Sequence, residues 1–167
     1  MTRARGAATS IEPPFRLSVQ RALDGTEHSL VPTRHRLRRW VRCALRGAPA
    51  DITLRFVSEG EGRALNRDYR GKDYATNVLS FDYATDAELP AAGGNPRVWG
   101  DLVICVAVVV REAAEQGKPV EAHFAHLVVH GMLHLQGFDH ESPDQTQVME
   151  TLETDILANL GYANPYV

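Results

Sequence analysis

Hydrophobic and polar positions alternate along two segments near the start of the chain, and a period of two is typical of β-strands. The first segment is FRLSVQRAL (15–23) and the second is DITLRFVS (51–58). Two later segments, TNVLSF (76–81) and the beginning of GDLVICVAVV (100–109), are short apolar runs of the kind found in buried strands. We therefore predict four short strands.

Between these strands, hydrophobic residues recur about every 3.6 residues instead of every two, and this spacing predicts helices. Glycine and proline mark the helix ends, because glycine often follows the last turn of a helix and proline is favoured in the first turn. The predicted helices cover about 33–46, about 59–69, the stretch that continues from the fourth strand to near Gly117, the stretch from Pro119 to about Gly137, and about 143–160.

Residues 82–99 form a long segment with neither period. They are rich in Ala, Gly and Pro, and we predict a loop, which at this length is usually functional or mobile. Helices otherwise interleave with the four strands. This order predicts an α/β or α+β layer with one mixed sheet.

Length and composition predict one globular domain. Of 167 residues, 44% are hydrophobic and 23% are charged, and no run of 18 apolar residues predicts a membrane span. Residues 1–14 lack the apolar run of a secretory signal, so we predict a disordered N-terminal arm and a single domain over 15–167. Cys43 and Cys105 lie among apolar residues without C-x-x-C spacing, which favours buried thiols and a cytoplasmic protein.

Charge is distributed unevenly along the chain. Residues 1–72 carry a balance of +8, whereas residues 73–167 carry −11, for a net charge of −3. Six arginines lie between residues 34 and 46. Arginine pairs with phosphate and stacks on bases, so this segment is either a nucleic-acid-binding face or an ordinary solvated helix face.

Three histidines near the end of the chain give the strongest chemical signal, in the segment HGMLHLQGFDH (130–140). His130 and His134 are four residues apart, so on a helix both imidazoles lie on one face and can bind one cation. Gly137 can end that helix in a left-handed conformation, and the chain can then turn back to bring His140 to the same ion. We predict a metal site on this helix and the following turn.

The donor set also indicates which metal is bound and what it does. Three neutral imidazoles suit Zn²⁺, although Ni²⁺, Co²⁺ and Cu²⁺ can occupy the same ligands. Three protein ligands leave one position open, as in catalytic zinc sites. The spacing H-x-x-x-H-x-x-G-x-x-H is that of the metzincin proteases, but Gly131 stands where those proteases have their general-base glutamate. We predict one Zn²⁺ per chain and disfavour peptide hydrolysis.

Two longer motifs give the chain a family resemblance. The first is LNRDYRGKDYATNVLSFDY (65–83) and the second is HLVVHGMLHLQGFDH (126–140). GDLVIC (100–105) lies between them, and LGYANPY (160–166) follows. With these motifs the chain resembles the YbeY family of bacterial single-strand-specific endoribonucleases and rRNA maturation factors, over roughly residues 15–166.

The resemblance implies a fold, a site and a process. The fold is zincin-like, of the α+β class, with one four-stranded, mixed and mostly parallel sheet flanked by helices. The metal is held by the histidines at 130, 134 and 140. The implied partners are single-stranded RNA, the 16S rRNA precursor and the small ribosomal subunit, and the implied process is 3′-end maturation of 16S rRNA together with ribosome quality control.

Arg70 matches the arginine on which the family depends for activity. It lies with Lys72 in a predicted turn between a helix and a strand. Read from the residues alone, the two are either solvated charges or ligands of the RNA backbone. We interpret Arg70 as catalytic and both residues as substrate-binding, since a guanidinium can bind the scissile phosphate and stabilise charge that develops on its oxygens.

Other residues near the motifs receive more modest interpretations. His126 precedes His130 by one helical turn, and we expect it to support the metal ligands or to line a groove. His123 is expected on the surface. Asp139 is expected to accept a hydrogen bond from a ligand or to cap the turn, and Trp99 is expected to pack in the core rather than to stack on RNA bases.

Several functional alternatives stay open. The metal-dependent endoribonuclease is a zinc-dependent phosphodiester hydrolase that uses either water or the ribose 2′-hydroxyl as nucleophile. The first rival is a non-catalytic ribosome assembly factor with a structural zinc. The second is a metzincin-like peptidase, which the missing glutamate opposes. We expect a monomer that does not bind membranes.

Overall fold

A four-stranded sheet forms the centre of the computed structural model, which describes residues 14–84 and 97–167. Within these residues the strand order is β1-β2-β4-β3; β1, β2 and β4 are parallel, and β3 is antiparallel to β4. The predicted mixed, mostly parallel sheet is therefore confirmed. The strands are β1 (Phe15–Ala22), β2 (Ala50–Val57), β3 (Val78–Asp82) and β4 (Val98–Cys105).

The described residues also form five α-helices, each close to a predicted one. They are α1 (Arg34–Leu45), α2 (Glu59–Arg70), α3 (Val106–Gln116), α4 (Val120–Leu135) and α5 (Pro143–Leu160). A short 3-10 helix, Gly25–Leu30, was not predicted. None of these helices combines the length and the apolar character needed to cross a membrane.

The alternating pattern of β2 separates the two faces of the sheet. Ile52, Leu54 and Phe56 are fully buried and pack with residues of α1, α4 and α5 in the main core. A smaller cluster on the other face includes Val57 and Val103, with Leu65 of α2 packed against it. Helix α4 therefore lies on one face of the sheet and α2 on the other.

Gly131 allows α4 to lie close to the sheet. A Cβ atom at this position would be 2.8 Å from Cδ2 of Leu102 in β4, which is too short for a real contact. The glycine thus permits the close packing of α4 on β4, and any side chain there would have to displace Leu102. A longer side chain, such as the glutamate of the metzincin proteases, would push the helix away from the strand.

The loop predicted over 82–99 is wrong at both ends. Asp82 belongs to β3 and Val98 belongs to β4, and the amide of Tyr83 donates to the Trp99 carbonyl at 2.9 Å, which extends the pairing of the two strands. Trp99 is 46% exposed and contacts the Tyr83 ring, so its predicted place in the core is also wrong. These ends of β3 and β4 were not predicted because an alternating pattern is hard to detect over one or two residues.

Some predictions are only partly tested. The predicted N-terminal arm (1–14) falls almost wholly on residues 1–13, and the middle of the predicted loop falls on 85–96; both stretches lie outside the described residues. Cys43 and Cys105 are free thiols; the predicted burial is confirmed for Cys105, whereas Cys43 is partly exposed. Burial raises the pKa of the Cys105 thiol, which keeps it protonated and unreactive.

Candidate metal centre

Helix α4 presents His130 and His134 on one face, one turn apart. Their Nε2 atoms are 3.1 Å apart and their ring centroids are separated by 4.6 Å. Two ring nitrogens at this distance need either a proton or a shared cation between them, because two lone pairs repel. The pair that the sequence predicted is therefore formed within α4.

The turn after α4 delivers the third imidazole. Gly137 has a φ of +91°, a conformation that costs glycine little, and its amide donates to the His134 carbonyl. The chain then reverses, and the ring of His140 lies 5.0 Å from that of His134 and 5.8 Å from that of His130. Asp139 caps this turn, since its carboxylate accepts from the His140 amide at 2.7 Å.

The three imidazoles fit a single divalent cation. Each offers one nitrogen, and these three nitrogens lie within 4.8 Å of one another. Nδ1 of His134 contacts the Phe138 carbonyl at 3.0 Å, so this nitrogen carries the proton and Nε2 is left with its lone pair. Burial lowers the pKa of His134, and the neighbouring His130 and His140 lower it further. A neutral ring with a free lone pair is the form that binds zinc.

Glu153 of α5 supports His130 from the side away from His134. This carboxylate is fully buried and contacts Nδ1 of His130, Nε2 of His126 at 3.1 Å and the hydroxyl of Tyr166. Burial by itself raises the pKa of Glu153, but the hydrogen bonds to His126 and His130 outweigh it, and the pKa falls to about 2. The group is therefore a carboxylate at neutral pH.

Sequence reasoning missed Glu153, although the sequence contained a signal. In α5 the residues Met149, Ile156, Leu157 and Leu160 form the buried stripe, and Glu153 lies on the same stripe. An acidic residue among apolar positions at helical spacing indicates a buried carboxylate, which needs a partner. The partner is not apparent from the sequence, because it lies on another helix.

The two histidines upstream on α4 have different roles. His126 supports the centre through Glu153, as predicted. His123 is 4% exposed and its Nε2 lies 2.8 Å from a carboxylate oxygen of Glu112, so the predicted surface position is wrong. A histidine was expected to contact solvent, but a carboxylate of α3 pairs with one nitrogen of the buried ring.

Arg70 and Lys72 lie at the other end of the first motif. Arg70 is the last residue of α2, and Gly71 follows with a φ of +68°, which turns the chain towards β3. Both basic side chains are exposed, and among the described residues neither forms an ion pair. No described contact joins them to the three histidines, so their functional role stays a prediction.

Two grooves meet at His130. The larger has a volume of about 550 Å³ and the smaller about 220 Å³. Polar residues of the larger groove include Asn77, Glu112, Lys118, His123, His126 and Tyr166. The smaller groove is lined by His140, Thr146, Met149, Glu150, Glu153 and Tyr166. The candidate centre is therefore accessible from the surface.

Comparisons with known proteins agree on one family. Residues 26–161 match the sequence model of the family described as endoribonuclease YbeY. A protein of that name from Azoarcus sp. strain BH72 is 61% identical over 154 residues, which span 92% of this chain and 60% of that protein. Another of that name from Aromatoleum aromaticum is 62% identical over 150 residues, which span 90% of this chain and 91% of that protein.

The fold also has a counterpart among solved structures. The solution structure of TM1509 from Thermotoga maritima is similar with a TM-score of 0.50 and a sequence identity of 24%. The match covers 86% of this chain and 91% of that chain. At this identity the similarity supports the fold alone.

Proposed function

The chain belongs to the YbeY family, whose relatives are named endoribonucleases, and we propose that it is a zinc-dependent endoribonuclease that cleaves single-stranded RNA. The observation that carries the proposal is the convergence of three imidazole nitrogens from α4 and its following turn. Three neutral nitrogen ligands with a remaining open position are the donor set of a catalytic zinc site.

Some residues of the centre would bind the metal, and others hold the metal-binding rings in place. His130, His134 and His140 would hold the metal, which when bound supplies Lewis acidity to a phosphodiester and lowers the pKa of a water molecule. Glu153 and the Phe138 carbonyl hold two of the rings in the required tautomer. The substrate reaches the centre through the groove that ends at His130.

The position of Asn77 in that groove supports a role for Arg70 in phosphate binding. Asn77 lines the groove and ends the turn that begins after Arg70. Its amide donates to Glu112 at 3.1 Å, and Glu112 contacts His123 of α4 at 2.8 Å. This chain of hydrogen bonds ties the turn to the metal-binding helix. Arg70 and Lys72 are thus proposed to bind the RNA backbone, with Arg70 neutralising charge on the scissile phosphate.

The biological substrate that fits the family is precursor 16S rRNA. We propose that the chain acts as a monomer in the cytoplasm, on the 3′ end of this RNA within the small ribosomal subunit, with ribosome quality control as a second role. Open grooves suit an unpaired strand, whose backbone can bend towards a concave site. The peptidase alternative is disfavoured because Gly131 stands in place of the glutamate that peptide hydrolysis requires, and any side chain there would have to displace Leu102.

The test is cleavage of a labelled RNA oligonucleotide by the zinc-loaded chain, with the same sequence in a duplex as control. We expect cleavage of the single strand, loss of activity after chelation and recovery on addition of zinc. Identifying the product ends distinguishes the nucleophiles, since a 2′,3′-cyclic phosphate shows attack by the ribose 2′-hydroxyl. Tight binding to small subunits by a zinc-loaded chain that cleaves no RNA would instead support the assembly factor.

A further inference from the structure

We propose that Glu153 and Tyr166 are positioning residues of the metal centre, and that the C-terminal segment 164–167 is part of it. Glu153 fixes the His130 ring through Nδ1, and Tyr166 fixes the Glu153 carboxylate. The inference rests on the proposed metal binding by three histidines. It adds residues that lie 13 and more positions beyond the last ligand in the sequence.

The tautomer of His130 follows from the chemistry of its partner. A carboxylate only accepts hydrogen bonds, so His130 donates from Nδ1 to Glu153. Its Nε2 is then left with a lone pair, and this is the nitrogen that faces His134. A carboxylate behind a ligating imidazole holds the ring orientation and raises the basicity of the ligand.

The carboxylate is itself held by two further donors. One oxygen of Glu153 contacts His130, and the other contacts Nε2 of His126 at 3.1 Å and the Tyr166 hydroxyl. Because Glu153 is fully buried, three donors are needed to offset the loss of its hydration. Burial, and then Glu153 itself, raise the pKa of Tyr166, so its hydroxyl keeps the proton that it donates.

Tyr166 reaches Glu153 because the segment after α5 is anchored to another part of the fold. Helix α5 ends at Leu160 and is capped by Gly161. The chain then crosses towards the α3–α4 connection, where Nζ of Lys118 donates to the Pro165 carbonyl at 2.5 Å. The Asn164 side chain accepts from the Tyr166 amide at 2.8 Å. These two contacts set the position of Tyr166 over Glu153 and His126.

A second metal ion bound by His126, His130 and Glu153 is the competing explanation. Their candidate donor atoms also lie within 4.8 Å of one another. Two of them, Nδ1 of His130 and a Glu153 oxygen, are already in direct hydrogen-bond contact, which leaves no space for a cation between them. A hydrogen-bonded support for one metal therefore fits the contacts better than two metals that share His130.

The experiment measures zinc affinity by competition with a chromophoric chelator, in the full chain and at a temperature where every variant is folded. Glu153→Gln keeps the volume of the side chain but replaces one acceptor oxygen by a donor. We expect zinc binding about 10- to 100-fold weaker, the usual effect of losing such a support. Tyr166→Phe removes one of the three donors to Glu153, and we expect a smaller loss in the same direction.

Matched controls are available for both variants. Asp155→Asn neutralises an exposed carboxylate on the same helix. Tyr162→Phe removes another tyrosine hydroxyl that donates to a glutamate, Glu121, at 2.6 Å. Neither control contacts a histidine of the centre, so zinc affinity should stay at the wild-type value in both. In ¹⁵N NMR spectra of the zinc-loaded wild type, His130 should carry its proton on Nδ1.

Each outcome decides the proposal. Wild-type zinc affinity in both Glu153→Gln and Tyr166→Phe overturns it, and so does a saturating stoichiometry of two zinc ions per chain. If Glu153→Gln does not fold, Tyr166→Phe decides alone, because its ring is partly exposed and only the hydroxyl is removed. His134→Ala separates this inference from the proposed function, since a chain that keeps full zinc affinity without His134 refutes the three-histidine site itself.

Discussion

His130 and His123 of helix α4 each contact a glutamate of a different neighbouring helix, and only His130 belongs to the candidate metal centre. His130 contacts Glu153 of α5, and His123 contacts Glu112 of α3. The two pairs differ in the second ring nitrogen. Nε2 of His130 faces His134, whereas Nδ1 of His123 is buried and, among the described residues, has no hydrogen-bond partner.

The difference shows that a histidine–glutamate pair does not define a metal ligand. His130 is 26% exposed at the meeting point of two grooves, and two further imidazoles surround its free nitrogen. His123 is enclosed, and its glutamate also binds Asn77 in the turn before β3. The first pair orients a proposed metal ligand, while the second connects the turn after Arg70 to α4.

Removing a ligand gives the largest contrast between the two pairs. His134→Ala should abolish measurable zinc binding and RNA cleavage, because two imidazoles do not complete the site. His123→Ala should leave zinc affinity unchanged and lower the free energy of unfolding by about 1–3 kcal/mol, since Glu112 loses a buried partner. Chelator competition and urea unfolding measure the two effects. Zinc loss in His123→Ala would contradict the assignment of this pair as structural.

Arg70→Ala is expected to have the next largest effect on RNA cleavage. Arg70 precedes the turn that the His123–Glu112 pair connects to α4. We expect cleavage to fall by about 10²- to 10³-fold, the cost of losing one donor to developing charge in the transition state. Zinc affinity should not change. Arg67→Ala is the control, since Arg67 lies on the same helix and pairs with Asp68. Single-turnover kinetics would show the proposal to be wrong if both variants cleave alike.

Glu112→Gln changes the glutamate of the His123 pair as Glu153→Gln changes that of the His130 pair, so the two variants compare the roles of the pairs directly. Asn77 donates to both carboxylate oxygens of Glu112, and His123 donates to one of them. A glutamine in either orientation therefore places its NH2 group against another donor. We expect unfolding to become easier by about 1–3 kcal/mol and cleavage to fall less than in Arg70→Ala, with zinc affinity intact. A zinc affinity reduced as much as in Glu153→Gln would remove the distinction between the two pairs.

Gly131→Ala tests the packing of α4 on β4, which sets the position of both histidine–glutamate pairs. The added methyl group meets Leu102, and we expect a loss of about 1–3 kcal/mol in the free energy of unfolding from overpacking. Gly60→Ala in α2 is the control with the opposite sign. Its Cβ meets no described atom within 4 Å, so a gain of about 0.5–1 kcal/mol is expected from helix propensity. Thermal or urea unfolding measures both changes. Equal changes in the free energy of unfolding for Gly131→Ala and Gly60→Ala would contradict the close approach of α4 to β4.

The smallest effect is expected for the arginine-rich helix α1. Arg34 donates to the Leu17 carbonyl at 2.7 Å, Arg36 pairs with Glu121 at 3.2 Å, and Arg38 lies 4.6 Å from the centre of the Phe15 ring. These contacts within the chain favour an ordinary helix face over an RNA-binding face. Arg39→Ala should leave cleavage and RNA affinity unchanged, and a large drop in RNA affinity by fluorescence anisotropy would restore the nucleic-acid interpretation.

Short-range patterns in the sequence predicted most of the fold. Alternation in β1 and β2 and the helical period in α1 and α5 were sufficient to place these elements within a few residues. The errors occurred where the pattern is short, as at the ends of β3 and β4, or where residue type misled, as for His123 and Trp99. Burial of a polar ring depends on a partner from another helix, and a local pattern does not contain that partner.

The convergence of the three histidines was determined by the sequence alone, because helical geometry sets His130 and His134 on one face and Gly137 allows the turn to His140. The hydrogen bonds that hold these imidazoles were decided only by the tertiary structure. Glu153 lies 23 residues from His130, and which carboxylate meets which imidazole depends on how α3 and α5 pack against α4. Backbone geometry acts over a few residues, whereas packing joins residues at any separation.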